Sequence, residues 1–177
     1  LLPGSYTVAV TDANGCSLTD SMTVGAITVV VADAGNDTAF CFGDSITLCS
    51  SSFNATSLAW YNISIPAWTQ IDTTTCITVI PPVGINDYAL IASNGICSDT
   101  DTVSVTIYAL PPVDAGTDVT ILSSASTDLS GTGSGTYLWS PAAGLSCTTC
   151  ANPTANPTVT TTYTLTVTDA NGCTAED

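Results

Sequence analysis

The feature that most constrains the fold is an internal repeat. The segment at 5–16, SYTVAVTDANGC, returns almost unchanged at 162–173 as TYTLTVTDANGC, and a degenerate copy, DYALIASNGIC, lies at 87–97. A second motif, Asp-Ala-Gly-x-Asp, occurs at 33–37 and again at 114–118. Self-similarity of this kind is the signature of a repeat architecture. The chain is therefore predicted to be a string of small modules of one type.

The two motifs also mark where each module begins and ends. Residues 26–108 form one complete module, called module 1 below, and residues 109–177 form module 2, whose last strand is incomplete. Residues 1–25 match the closing hairpin of a preceding module and are called the leading hairpin. More chain is expected on both sides. The linkers are short, and the one at 109–112 contains Pro-Pro, which is semi-rigid and favours an extended string.

Strands follow from the alternation of side chains. In 163–168, Tyr163, Leu165 and Val167 alternate with threonines, which indicates a strand with one buried face. Asp-Ala-Asn-Gly then supplies a tight turn. Trp60 and Trp139 stand at matching places and are predicted to be core residues. About seven short strands per module with one core tryptophan are typical of an immunoglobulin-like β-sandwich. The predicted fold is all-β, with tandem antiparallel sandwiches.

The charge of the chain excludes several functions. It has no Lys, Arg or His, and its 15 acidic residues give a formal net charge of −15. Such a surface repels nucleic-acid phosphates and anionic lipid headgroups. Imidazole and lysine catalysis are impossible, and paired carboxylates would need a cleft that small tandem sandwiches rarely offer. We therefore expect no enzyme, and no apolar run approaches the roughly 18 residues of a membrane span.

The eight cysteines indicate disulfides and an oxidising, extracellular location. Cys147 and Cys150 form a CxxC motif without the second pair or the histidine of a zinc site, and without the setting of a redox site. A local structural disulfide is the expected pairing. Cys16 and Cys173 stand at matching repeat positions without an obvious partner in their own modules. The partner of Cys16 is expected upstream, outside this fragment. Cys173 would be free, or would pair with a neighbouring module or between chains.

Four longer motifs resemble a known class of repeat. They are the Asp-Ala-Gly-x-Asp start, WSPAAGLS at 139–146, ANPTANPT at 151–158 and the closing Tyr-to-Cys segment. Together they resemble the PKD-like and Ig-like repeats of very large Bacteroidota surface proteins, including gliding-motility-associated adhesins exported by the type IX secretion system. The resemblance implies no catalytic residues.

The resemblance implies a structural or spacer role in an extracellular adhesin or surface filament. The implied partners are neighbouring modules of the same chain, other copies in a filament, and surface glycans. Two alternatives stay open at this point. The modules would themselves bind glycans, or they would be an accessory region of a secreted carbohydrate-active enzyme.

The resemblance also bears on the cysteines of module 1. A Cys41–Cys97 bond would tie the two ends of the module, as a recurrent cysteine pair does in the family. Cys49 and Cys76 then remain and would link the two sheets. The alternative, Cys41–Cys49 together with Cys76–Cys97, stays open.

Three further sets of candidate residues stand out. Asp33, Asp37, Asp114 and Asp118 lie near module junctions, where they would either bind Ca²⁺ through carboxylate oxygens or cap turns. Trp68, near Tyr61, would either stack on a sugar or pack over a sheet edge. O-glycosylation of Bacteroidota proteins follows Asp-(Ser/Thr) sequences, and the matching hydroxyls are Ser21, Thr38, Ser45, Thr73 and Thr102.

Overall fold

The structure is a computed structural model that describes residues 2–64 and 68–177. Every regular element in those residues is a β-strand, in agreement with the predicted all-β class. The described part of the chain contains no helix of the length and apolarity that crossing a bilayer requires.

Module 1 is a two-sheet sandwich. Its larger sheet has the strand order β3-β9-β8-β5-β6, and β4 and β7 form the facing sheet. The bounds are β3 Thr38–Cys41, β4 Ile46–Cys49, β5 Ser57–Asn62, β6 Thr69–Asp72, β7 Cys76–Val79, β8 Gly84–Ser93 and β9 Ser98–Tyr108.

Module 2 shares part of this plan, with shorter strands and a smaller main sheet. Its main sheet has the order β13-β15-β16, and two small pairs, β10 with β12 and β11 with β14, complete it. The bounds are β10 Val113–Asp114, β11 Thr127–Asp128, β12 Thr132–Gly133, β13 Thr136–Ser140, β14 Thr154–Ala155, β15 Thr164–Thr168 and β16 Thr174–Glu176.

Each module has a core of its own. In module 1 the alternation of β8 and β9 buries Tyr88, Leu90, Val103 and Val105 around the fully buried Trp60. In module 2 the corresponding centre is Trp139, Leu165 and Val167, as the sequence predicts. Burial of large apolar side chains is the main stabilising term in such small sandwiches. The two modules therefore share a tryptophan-centred core as well as sequence motifs.

The leading hairpin consists of β1, Gly4–Thr11, paired antiparallel with β2, Ser17–Val24. The residues equivalent to Val8 and Val10 in β8 and β15, and to Met22 in β9, are buried. In the hairpin these three are about two thirds exposed, at 59%, 65% and 64%. Tyr6 lies opposite Met22 on the same face. The hairpin thus has the pattern of a closing hairpin without the sandwich that such a pattern covers.

The turns of the leading hairpin and of module 2 are built in the same way. In the leading hairpin, the N–H groups of Asn14 and Cys16 both donate to Oδ1 of Asp12 at 2.9 Å, and Gly15 takes a φ of 85°. Asp169 makes the same two bonds in module 2, to the N–H groups of Asn171 and Cys173. A short polar side chain that caps its own turn, followed by glycine at positive φ, explains the Asp-Ala-Asn-Gly sequence.

Packing around Gly131 allows a test of the module 2 core. A Cβ on Gly131 would lie 2.8 Å from the Ala151 carbonyl oxygen, 2.8 Å from the Trp139 ring and 2.9 Å from Leu165. We expect Gly131→Ala to lower the free energy of unfolding by about 1–3 kcal/mol, because the core is overpacked. The measurement is denaturant unfolding followed by tryptophan fluorescence.

Gly25→Ala is the matched control, since a Cβ there meets nothing within 4 Å. Equal stability of the two variants would contradict the packing described for module 2.

Candidate functional site at the module junction

Strand β3 places Cys41 at the end of module 1 that faces the linker. β3 runs parallel to the last strand, β9, and this is the one parallel strand pair among the described residues. Cys41 lies opposite Tyr108, the last residue of β9, and the Phe42 N–H donates to the Tyr108 carbonyl at 2.9 Å. Cys41 is therefore at the pole from which the chain leaves into residues 109–112.

Cys173 lies in the turn between β15 and β16 of module 2. The Asp169 carboxylate holds this turn, and Cys173 is fully buried. β10, the first strand after the linker, contacts β16. The turn is therefore at the pole where the linker enters module 2.

Cys41 and Cys173 form a disulfide across the junction, with 5.5 Å between their Cα atoms and 132 residues between them in sequence. For Cys173 it bears out the bond to a neighbouring module, but the partner lies inside this chain and not outside it. It overturns one expectation, because Cys41 does not pair with Cys97. The reason is the course of β9, which begins beside Cys97 and ends beside Cys41. At roughly 3.3 Å per residue the two ends of β9 are about 33 Å apart, far beyond the roughly 7 Å that a disulfide spans.

The other two bonds are local. Cys49 lies directly opposite Cys76 in the β4–β7 register, and the structure bonds them. The bond therefore joins neighbouring strands of one sheet, and not the two sheets as expected. The alternative set, with Cys41–Cys49 and Cys76–Cys97, is absent. Cys147–Cys150 closes the loop whose Cys150 carbonyl accepts the indole N–H of Trp139 at 3.1 Å.

Cys16 and Cys97 are the free cysteines of the described residues. Cys16 is exposed and Cys97 is half-buried. Both stand at the repeat position that Cys173 occupies in module 2.

A carboxylate on the last strand holds the Asp-Ala-Gly motif in both modules. In module 1 the Ala34 N–H donates to Oδ2 of Asp101 at 2.8 Å, and in module 2 the Ala115 N–H donates to Oδ2 of Asp177, also at 2.8 Å. Asp99, two residues before Asp101 on β9, makes the same kind of bond by accepting the Ala32 N–H at 2.9 Å. We call the shared interaction the carboxylate clamp. It ties the first segment of a module to its last strand.

Sequence reasoning missed the clamp, although the sequence carries a signal for it. An aspartate stands four residues after the turn cysteine in all three copies, as Asp20, Asp101 and Asp177. In the leading hairpin, the hydrogen bond described for the Asp20 carboxylate comes from the N–H of the next residue, Ser21, at 2.8 Å. The clamp is thus made wherever the first segment of the module is present.

Three of the four aspartates predicted as calcium ligands have other contacts. Asp33 and Asp114 accept the N–H groups of Gly35 and Gly116 at 3.0 and 2.8 Å, and Asp37 accepts the Ser104 N–H at 2.9 Å. In the described ranges no three acidic, cysteine or histidine side chains come together as metal ligands, so Asp33, Asp37, Asp114 and Asp118 do not form the expected cluster. The hydroxyl of Ser51, followed by the Gly35 amide, lowers the pKa of Asp33.

The predicted aromatic site lies at the β5–β6 edge of module 1. Trp68 is 55% exposed and its ring centroid is 5.9 Å from that of Tyr61, with the planes at 50°. Trp68 thus both packs against the edge and presents ring surface to solvent. The five hydroxyl residues predicted as glycosylation sites, Ser21, Thr38, Ser45, Thr73 and Thr102, are all exposed, and their modification stays a prediction.

Two of the depressions on the described surface lie in different parts of the chain. One lies on the leading hairpin around Tyr6, Val8, Asp20 and Met22, and the other is lined by serine, threonine, alanine and leucine of module 1. The first holds one carboxylate and the second holds none. Neither offers the pair of carboxylates that glycoside hydrolysis requires.

No family model and no curated protein matches the sequence. Similar solved structures include extracellular domains 3–5 of Drosophila OTK, at 8% identity over 99% of this chain and 68% of that chain, with a TM-score of 0.42. The titin I-band fragment I67–I69 is 14% identical, and the match covers 85% of this chain and 64% of that chain with a TM-score of 0.43. Immunoglobulin domains 1–4 of Sidekick-1 are 13% identical, and the match covers 99% of this chain and 56% of that chain with a TM-score of 0.43.

This chain folds as tandem immunoglobulin-like β-sandwiches. It spans less than two thirds of the titin and Sidekick-1 chains, and all three TM-scores are below 0.5. What these neighbours do therefore carries no argument about this chain.

The carboxylate clamp can be tested by comparing Asp101→Ala with Asp20→Ala. Ala34 is almost fully buried, so removing the Asp101 acceptor leaves a buried N–H without a partner. We expect Asp101→Ala to lower the free energy of urea unfolding by about 1–2 kcal/mol. Asp101→Asn keeps an acceptor oxygen and should lose less.

Asp20 holds the same repeat position outside a complete module, so Asp20→Ala should change stability by under about 0.5 kcal/mol. A loss as large for Asp20→Ala as for Asp101→Ala would refute the clamp.

Proposed function

We propose that this chain is a load-bearing spacer segment of an extracellular adhesin or surface filament, and that it has no catalytic role. The observation that carries the proposal is the Cys41–Cys173 bond, which joins two separately folded sandwiches covalently across their linker. A tie of this kind adds nothing to a binding pocket. It changes how a string of modules responds to tension.

The bond shortens the path that tension follows through the chain. Force that enters before Cys41 and leaves after Cys173 passes through the sulfur–sulfur bond, and not through the 132 residue steps between them. Both cores lie inside that loop, since their buried residues run from Ile46 to Val167 apart from Ala34 and the first segment. Pulling on the string therefore does not pull on either core.

Support for the location comes from chemistry. Three disulfides form and persist in an oxidising, extracellular environment and are rare in the cytosol. The strong negative charge keeps such a string soluble and extended. The resemblance of the motifs to Bacteroidota repeats suggests a type IX-secreted gliding adhesin, with other modules or other copies of the chain as partners.

Single-molecule pulling from the two ends tests the load path. With the bond intact we expect only the first segment and the last residues to peel away, with no unfolding step from either core. Reduction frees the 132 steps, which add about 450 Å of contour at roughly 3.3–3.6 Å per residue.

Cys41→Ser/Cys173→Ser is the variant that removes the tie without a reductant, and it should show core unfolding steps under oxidising conditions. Cys49→Ser/Cys76→Ser is the control, because that bond lies inside the larger loop and should leave the pulling trace unchanged. Core unfolding in the oxidised wild type would contradict the spacer function as stated.

The exposed Trp68 favours glycan binding as a second candidate function. A tryptophan face at a sheet edge, supported by Tyr61, is a surface on which a sugar ring stacks. In that case module 1 itself would be the binding module. An accessory region of a secreted carbohydrate-active enzyme would use the same surface.

A glycan array separates this candidate from the spacer. If Trp68 binds sugar, the wild type gives a signal that Trp68→Ala weakens about five- to tenfold, because about 1–1.5 kcal/mol of stacking energy is lost. Phe53→Ala, an exposed aromatic at 67% on another part of module 1, is the control and should retain binding. No wild-type signal would remove the glycan candidate and leave the spacer.

A further inference from the structure

The N-terminal pole of module 1 has the features of a second junction. Cys97 lies there in the turn between β8 and β9, at the position that Cys173 holds in module 2. Its turn is built alike, with Asn94 in place of the aspartate: the N–H groups of Ile96 and Cys97 donate to Oδ1 of Asn94 at 3.0 and 2.9 Å. Cys173 is fully buried and bonded, whereas Cys97 is half-buried and free.

An apolar surface surrounds this free thiol. The segment entering module 1 alternates, so that Val30 and Ala32 pack with Ala92 and Cys97 beneath, while Ile27 and Val29 face outward, each 68% exposed.

Phe53 and Ile96 extend the same surface, at 67% and 83% exposed. Phe53 pairs with Val31 of the entering segment, and Asn94 of the turn donates its side-chain N–H to the Thr28 carbonyl at 3.0 Å. The four exposed side chains Ile27, Val29, Phe53 and Ile96 thus lie on elements that hydrogen bonds hold together around the turn. Large apolar side chains exposed together on elements joined in this way are what an interaction site offers.

We propose that this pole seats another module of the same kind, and that Cys97 bonds to the cysteine at the end of that module's first strand. The junction between modules 1 and 2 supplies the precedent, because the turn cysteine of the later module there bonds to Cys41 of the earlier one. The occupant is the sandwich to which the leading hairpin belongs. That hairpin leads through Gly25 into the entering segment, and its own apolar face is uncovered.

The occupant must resemble module 1 and not module 2. Eight residues after the Asp-Ala-Gly aspartate, module 1 has Cys41 but module 2 has Leu122, which is 84% exposed. A module of the second type offers no thiol to Cys97. The proposal therefore specifies a cysteine eight residues after an Asp-Ala-Gly aspartate.

The bond forms by thiol–disulfide exchange with a small or protein disulfide of the oxidising compartment. The Cys97 thiolate attacks one sulfur of that disulfide and displaces a thiol, and the partner cysteine then displaces the second. Two cysteine thiols are oxidised to one disulfide, and the exchanging disulfide is reduced to two thiols. The result would be overlapping covalent loops, since Cys41 lies between the partner and Cys97 in sequence.

Disulfide mapping of the full-length protein, isolated from the cells that make it, tests this proposal. Free thiols are blocked by alkylation, and the unreduced protein is cut before aspartate, because the chain has no tryptic sites. Cys97 then lies alone in the peptide 87–98. We expect no alkylated form of this peptide. We expect it instead to be disulfide-bonded to a peptide from outside residues 1–177 that carries a first-strand cysteine.

Three results would overturn the proposal: peptide 87–98 alkylated as a free thiol, joined to the Cys16 peptide 12–19, or joined to a second copy of itself. The internal control is the pair 37–43 and 169–176, which carries Cys41 and Cys173. The proposal extends the spacer function to a second junction. Its failure with the control pair intact would leave the load path through Cys41 and Cys173 standing.

Discussion

The disulfide between Cys41 and Cys173 is the constraint on which the arrangement of the two modules depends. Each sandwich has its own core, and the linker between them is only a few residues long. In the chain-entropy model, closing a loop of 132 residues stabilises the folded state by about 5 kcal/mol. The bond requires β3 to run beside β9 to the pole of module 1, and it requires the Asp169 turn to present Cys173 at the facing pole.

The absence of every cationic side chain explains the carboxylate clamp. Because the chain has no Lys, Arg or His, no side chain can form an ion pair with its 15 carboxylates. Several of them are satisfied by backbone N–H groups instead: Asp101 and Asp177 hold the first segment, and Asp33 and Asp169 cap turns. Asp33, Asp37 and Asp114, which suggested calcium in the sequence, are thereby used one by one within the fold, and no cluster of three candidate metal ligands forms among the described residues.

Much of the fold was predictable from local pattern, and the junction was not. Alternation in β8 and β15 predicts the buried faces, and the matching positions of Trp60 and Trp139 predict the two cores. Cysteine pairing depends instead on which ends of the strands lie at the same pole, and no local pattern reports that β3 pairs in parallel with β9. For this reason the resemblance to a repeat family implied a Cys41–Cys97 bond, which the structure does not form. The clamp was missed although its aspartate recurs four residues after each turn cysteine.

Disulfide mapping of the purified 177-residue chain tests whether Cys41 and Cys173 join the two modules. After alkylation and cleavage before aspartate, the account predicts one species that joins peptides 37–43 and 169–176, which reduction separates. A species that joins 37–43 to 87–98 would mean that Cys41 closes its own module with Cys97. That result would contradict the covalent junction and, with it, the load path that the spacer function requires.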